Sequence, residues 1–87
     1  MPSVQAHLRD LGASEPYAWS NGPGYRYAAH RHAHTKVLMC VSGSITFLLD
    51  GADVTLEAGD GIILPPQASH AAEAGPTGVT CVEGRRD

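Results

Sequence analysis

From Tyr25 to Glu83 the chain is cut into short apolar or alternating runs, each ended within a few residues by glycine, proline or an Asp-Gly pair. This cadence constrains the fold more than any other feature, because it leaves little room for helices of ordinary length and favours strands joined by tight turns. Residues 25–35 are strand-like, and residues 37–41 form a β-rich run that ends at Ser42-Gly43. Residues 44–49 and 53–57 flank Asp50-Gly51-Ala52, a connection containing the dipeptide that favours hairpin turns. Residues 58–61 make another turn. The apolar strand at 62–64 must then stop at Pro65-Pro66, since proline cannot donate to a sheet ladder. A last strand is expected over 78–83. Many short strands separated by turn signals argue an antiparallel barrel or sandwich.

Residues 1–23 show no clean period. Val4, Leu8 and Leu11 have helical spacing, but Gly12, Pro16, Gly22 and Pro23 interrupt it, which predicts a short helical turn or edge strand followed by loop. The 87 residues fit one domain. It is expected to comprise an N-terminal arm (1–23), a barrel (24–83) and a polar tail (84–87). Hydrophobic residues make up 43% of the chain and charged ones 17%, enough apolar material for a core, and a homodimer is expected to cover the open sheet edges. With a net charge of −3 and six scattered cations there is no basic footprint for nucleic acid. The N-terminus lacks a cationic region followed by an apolar run, and no segment approaches spanning length, so no membrane partner and a cytoplasmic location are expected. Cys40 and Cys81 lack metal or redox spacing and sit in apolar runs, as buried free thiols do.

The chemistry concentrates in residues 24–36. In a regular strand His30, His32, His34 and Lys36 leave the same face, and imidazoles sharing a face can share a transition-metal ion at about 2.0–2.1 Å. The alternative from this stretch alone is a solvent-exposed histidine run. His7 has no histidine near it in sequence and reads as a surface residue.

Two longer patterns then coincide. Gly24, His30, His32, Lys36 and Gly43 match G-x5-HxH-x3/4-E-x6-G except at the glutamate, where Lys36 stands. Gly59, Pro65 and His70 match G-x5-PxG-x2-H-x3-N, with Gln67 in place of glycine and Ala74 in place of asparagine. These are the two motifs of the cupin superfamily, and the chain resembles that family over residues 24–74. The resemblance implies an all-β double-stranded β-helix, or jelly-roll, barrel with a metal near its centre. It also implies His30, His32 and His70 as ligands, with Lys36 at the position of the fourth.

The departures matter. An ammonium about 4 Å from a unit charge costs about 4 kcal/mol at an effective dielectric of 20, and about twice that beside a divalent ion. Lys36 therefore cannot sit beside the ion as an ordinary cation. Three outcomes follow: its stem reaches the barrel mouth and holds an anionic ligand, it sits near the metal as a neutral amine, or the barrel has lost its metal. The first is favoured. His34 could point inward as a fourth ligand, or a bulge could turn it outward. Neutral histidines suit zinc, iron, nickel or copper, which the sequence does not distinguish, and suit magnesium or calcium poorly. Tyr25 and Tyr27 could line the mouth and orient a substrate, or could simply pack the barrel. Two functions compete. One is a metal-dependent enzyme acting on a small polar or anionic molecule. The other is a non-catalytic ligand-binding or sensor module, with or without metal.

Overall fold

The computed structural model describes residues 4–49 and 51–86. Helix α1 (Val4–Asp10) is followed by six strands: β1 (Ser14–Asn21), β2 (Arg26–His30), β3 (Thr35–Leu49), β4 (Ala52–Glu57), β5 (Gly61–Leu64) and β6 (His70–Arg86). All the strand pairs are antiparallel.

Two long strands organise everything else. The first half of β3 pairs with β5 through Lys36–Met39 and its second half pairs with β4 through Ser44–Leu49. In the same way β6 pairs with β2 near His70 and with β1 beyond Val79. Each long strand thus passes from one sheet to the other, giving layers ordered β1-β6-β3-β5 and β2-β6-β3-β4. This is the double-stranded β-helix.

A corner has to be turned where the strands change layer, and Gly43 and Gly78 make it possible. Both have positive φ, 69° and 83°, and a Cβ on Gly43 would collide with the carbonyl oxygen of Gly78. The register between β3 and β6 slips at the same place, between Cys40 and Ser42 and again between Gly43 and Ile45. Residues 37–41 and 44–49 are therefore one bent strand, where Ser42-Gly43 had suggested a turn between two.

The apolar run at 37–41 does not alternate because both its faces are covered. Leu38 and Cys40 join Ile45, Phe47, Leu56, Leu64, Val79 and Cys81 between the layers. Val37 packs outward with Val82, Ala13 and Leu8, and Met39 and Val41 lie against this second cluster. Residues 4–21 accordingly do more than form an arm: α1 lays Leu8 over the outer face of one layer, and β1 completes that layer's edge.

Three further boundaries differ from expectation. β2 stops at His30, so residues 31–34 form a loop. β6 starts at His70 and continues to Arg86, drawing Arg85 and Arg86 out of the expected tail into pairing with Lys36 and Thr35. The alanines at 71, 72 and 74 are weak strand formers, and they hid its first half. The hairpin pairing stands where expected, with Leu49 facing Ala52; Asp50 itself lies outside the described residues, as do residues 1–3 and Asp87. Leu64 ends β5 immediately before Pro65.

Candidate metal centre

His30 is the last residue of β2, and His70, the first of β6, is its direct cross-strand partner. Tyr27 pairs with Ala72, so β2 carries one extra residue before His30, a bulge that carries the histidine onto the face used by Tyr27. His32 follows in the loop, where the backbone N–H of Gln67 donates to its carbonyl at 2.7 Å. Gln67 reaches that position with a left-handed φ of 64°, at the place where the second motif has glycine. The turn after β5 therefore pins the loop after β2.

The outcome is a group of three: the ligand-capable nitrogens of His30, His32 and His70 all lie within 4.8 Å of one another. Ring centroids are separated by 4.6 Å for His30–His32, 4.5 Å for His30–His70 and 5.3 Å for His32–His70. Two rings are already oriented. His30 Nδ1 lies 2.8 Å from the carbonyl of Ala28, and His70 Nδ1 lies 3.3 Å from that of Ala68. Donation from Nδ1–H in the neutral ring leaves Nε2 with its lone pair free. Nε2 of His32 is buried and has no hydrogen-bond partner among the described residues. An orphaned imidazole nitrogen beside two rings with free lone pairs is the donor set a transition ion needs, so these residues fit a metal.

Electrostatics favour the neutral form of two of the rings, His32 and His70. His32 titrates below the ordinary histidine value, chiefly through burial and next through the nearby charge of Lys36. His70 is also lowered, again mainly by burial.

His34 lies outside the group of three. Its ring centroid is 5.3 Å from that of His32, and it lines a cleft of about 300 Å³ with His32, Tyr17, Glu83, Ser14 and Arg85. Tyr27 packs edge-on against Trp19 and Tyr25, with centroids 5.5 and 4.8 Å away, and its hydroxyl accepts from Asn21 Nδ2 at 2.6 Å. Tyr25 is half exposed. Tyr17, absent from the expected site, is the tyrosine that lines the cleft beside His32. A second depression, between α1 and β5, is lined by Leu8, Leu11, Met39 and Ile63 and lies away from the histidines.

Lys36 is held by a carboxylate of the neighbouring long strand. Its Nζ lies 3.2 Å from Glu83 Oε2, with the side chains only 13% and 10% exposed. The other carboxylate oxygen of Glu83 accepts from Trp19 Nε1 at 2.6 Å, and Tyr17 is the cross-strand partner of Glu83. Glu83 is the residue that sequence reasoning missed. Strand alternation was the available signal, because Val79, Cys81 and Glu83 share a face that turns into the core, as Cys40, Leu38 and Lys36 do on β3.

A family model described as a cupin domain matches residues 19–83. The chain belongs to the cupin family. Among this cupin's relatives, the dimethylsulfoniopropionate lyase DddW of Ruegeria pomeroyi is 32% identical over 63 residues, 72% of this chain and 41% of that protein. The chain thus spans about two fifths of the length of that curated relative. An RmlC-like cupin from Shewanella frigidimarina has a TM-score of 0.73 at 28% identity, over 80% of this chain and 62% of that one. A double-stranded β-helix protein from Klebsiella pneumoniae has 0.73 at 28%, over 86% and 68%. The dimethylsulfoniopropionate lyase DddQ of Ruegeria pomeroyi shares the fold, with a TM-score of 0.76 at 22% identity over 83% and 37%.

Proposed function

We propose that this protein is a metal-binding cupin in which His30, His32 and His70 ligate one divalent transition ion, and that the site binds or acts on a small polar or anionic molecule. The carrying observation is the group of three histidines, with the Nε2 of His32 buried and unpartnered. An ion bound there would act as a Lewis acid toward an oxygen-bearing ligand. The chain's own part is to hold two imidazoles by their Nδ1 atoms, keep His32 and His70 neutral, and admit the ligand through the cleft beside His32. Zinc, iron, nickel and copper all suit three imidazoles. The lyase relative makes dimethylsulfoniopropionate the first compound to assay for turnover; a compound bound but never altered would mark a ligand-binding module instead. The reading includes a homodimer in the cytoplasm, with the exposed Leu11 and Ile63 beside β5 as apolar surface available for an interface. No helix among the described residues is long and apolar enough to cross a membrane.

Elemental analysis of untagged protein tests the metal directly. About one ion per chain is expected, and His32→Ala should lose it; fewer than roughly 0.2 ions per chain after growth with zinc, iron, nickel and copper would refute the reading.

A further inference from the structure

We propose that Lys36 is an anion anchor: it receives the carboxylate of a ligand whose other end reaches the histidine group, so the site selects small carboxylates over neutral isosteres. The inference rests on the proposed metal site and names the class of molecule that site takes.

Three observations carry it. Lys36 is an inward-facing, nearly buried ammonium with three N–H groups, and among the described residues its acceptor is one oxygen of Glu83. Two donors are left to spend. Glu83, by contrast, is engaged at both oxygens, because one takes the Trp19 indole N–H at 2.6 Å and the other lies 3.2 Å from Lys36 Nζ. A carboxylate so engaged holds Lys36 in place and has little capacity to ligate a metal. Finally, Glu83 and His32 line the same cleft, so a molecule entering it meets one member of the histidine group and the carboxylate to which Lys36 is paired.

Charge points the same way. Three neutral imidazoles leave a divalent ion with its full charge, and Lys36 and Glu83 cancel, so the loaded site is strongly positive and attracts an anion. Buried donors left without an acceptor penalise a ligand that cannot supply one, which is how such a site would discriminate against a neutral analogue.

The test uses propionate and its neutral isostere propionamide as probes. Zinc-loaded protein is titrated with each by calorimetry and by the fluorescence of Trp19, the chain's one tryptophan, whose N–H ends on Glu83. Because Lys36→Met alone would strand Glu83, the informative variant is Lys36→Met with Glu83→Gln, which removes both charges. Wild type should bind propionate at least tenfold more tightly than the double variant, with propionamide equally weak in both and zinc content unchanged. Lys36→Arg should retain most of the preference. Equal propionate affinity in wild type and double variant at equal zinc content overturns the anchor, as does no propionate binding to wild type. Should wild type hold no zinc, the metal reading fails separately, and the same titrations on metal-free protein decide: charge-dependent propionate binding keeps the anchor, and its absence removes it.

Discussion

Removing one member of the Lys36–Glu83 pair should cost far more than removing both. The two charges are 3.2 Å apart with side chains 13% and 10% exposed. At an effective dielectric of 20 their attraction is about 5 kcal/mol, most of it offset by the cost of taking both out of water. Lys36→Met leaves the Glu83 carboxylate buried without its counter-ion, and Glu83→Gln leaves the ammonium in the same state. Gln keeps an oxygen for the Trp19 N–H, so the second change isolates the charge. Each single variant is expected to lose about 3–5 kcal/mol, while the double variant should lie within about 1 kcal/mol of wild type. For a domain of this size 3 kcal/mol lowers Tm by roughly 12–24 °C. Urea and thermal unfolding of all four proteins in the presence of a chelator, followed by Trp19 fluorescence and far-UV circular dichroism, close the cycle without any metal contribution. A coupling energy below about 0.5 kcal/mol would show that water screens the pair, and the reasoning from burial would be refuted.

Other consequences are equally open to measurement. Trp19→Phe deletes the indole donor to Glu83 while keeping most of the ring packing against Tyr27, and should cost about 1.5–3 kcal/mol in urea unfolding, in the range of a hydrogen bond to a charged group. The metal-free protein should lose stability on acidification: His32 and His70 titrate below the unfolded value of 6.5, so the unfolded chain binds protons first. Their contribution is complete above about pH 6.5 and falls below it, by at most about 1.4 kcal/mol per pH unit for each histidine, which urea midpoints at pH 5.5 and 7.5 will reveal. Lys36→Glu paired with Glu83→Gln restores the motif's carboxylate without setting two carboxylates together, and should tighten zinc binding at least tenfold in competition with a chromophoric chelator; unchanged affinity would place residue 36 beyond reach of the ion.

Much of this was legible in the chain. His30, His32 and His70 stood out because two spaced motifs, each weak alone, occurred in order around a hairpin, and the structure brings these three together. What stayed hidden depends on register. Ser42-Gly43 has the composition of a turn, yet Gly43 serves as a corner because its missing Cβ makes room for Gly78 on the other long strand. The bulge before His30 is invisible to a period-two reading, which treats residues 30, 32, 34 and 36 as one face. That reading left His34 open as a fourth ligand, whereas the strand ends at His30 and the next begins at Thr35, leaving His34 in the loop. Glu83 could not be paired with Lys36 without knowing that β3 and β6 run side by side for most of their length.

That pairing changes what the substitution at position 36 means. Taken alone, a lysine where the motif has glutamate replaces a ligand with a repelling charge, and loss of the metal follows as one natural conclusion. With Glu83 on the neighbouring strand, the site still contains a carboxylate, but it is bound to Lys36 and Trp19. The negative charge has moved from a position where it could neutralise an ion to one where it neutralises a lysine. Attraction between Lys36 and Glu83, about 5 kcal/mol on the same dielectric as before, is comparable to the repulsion that a divalent ion would exert on the ammonium from about 6–8 Å. A charged lysine and a metal can therefore occupy one barrel, provided the ion relies on histidine alone and the ligand brings the missing negative charge.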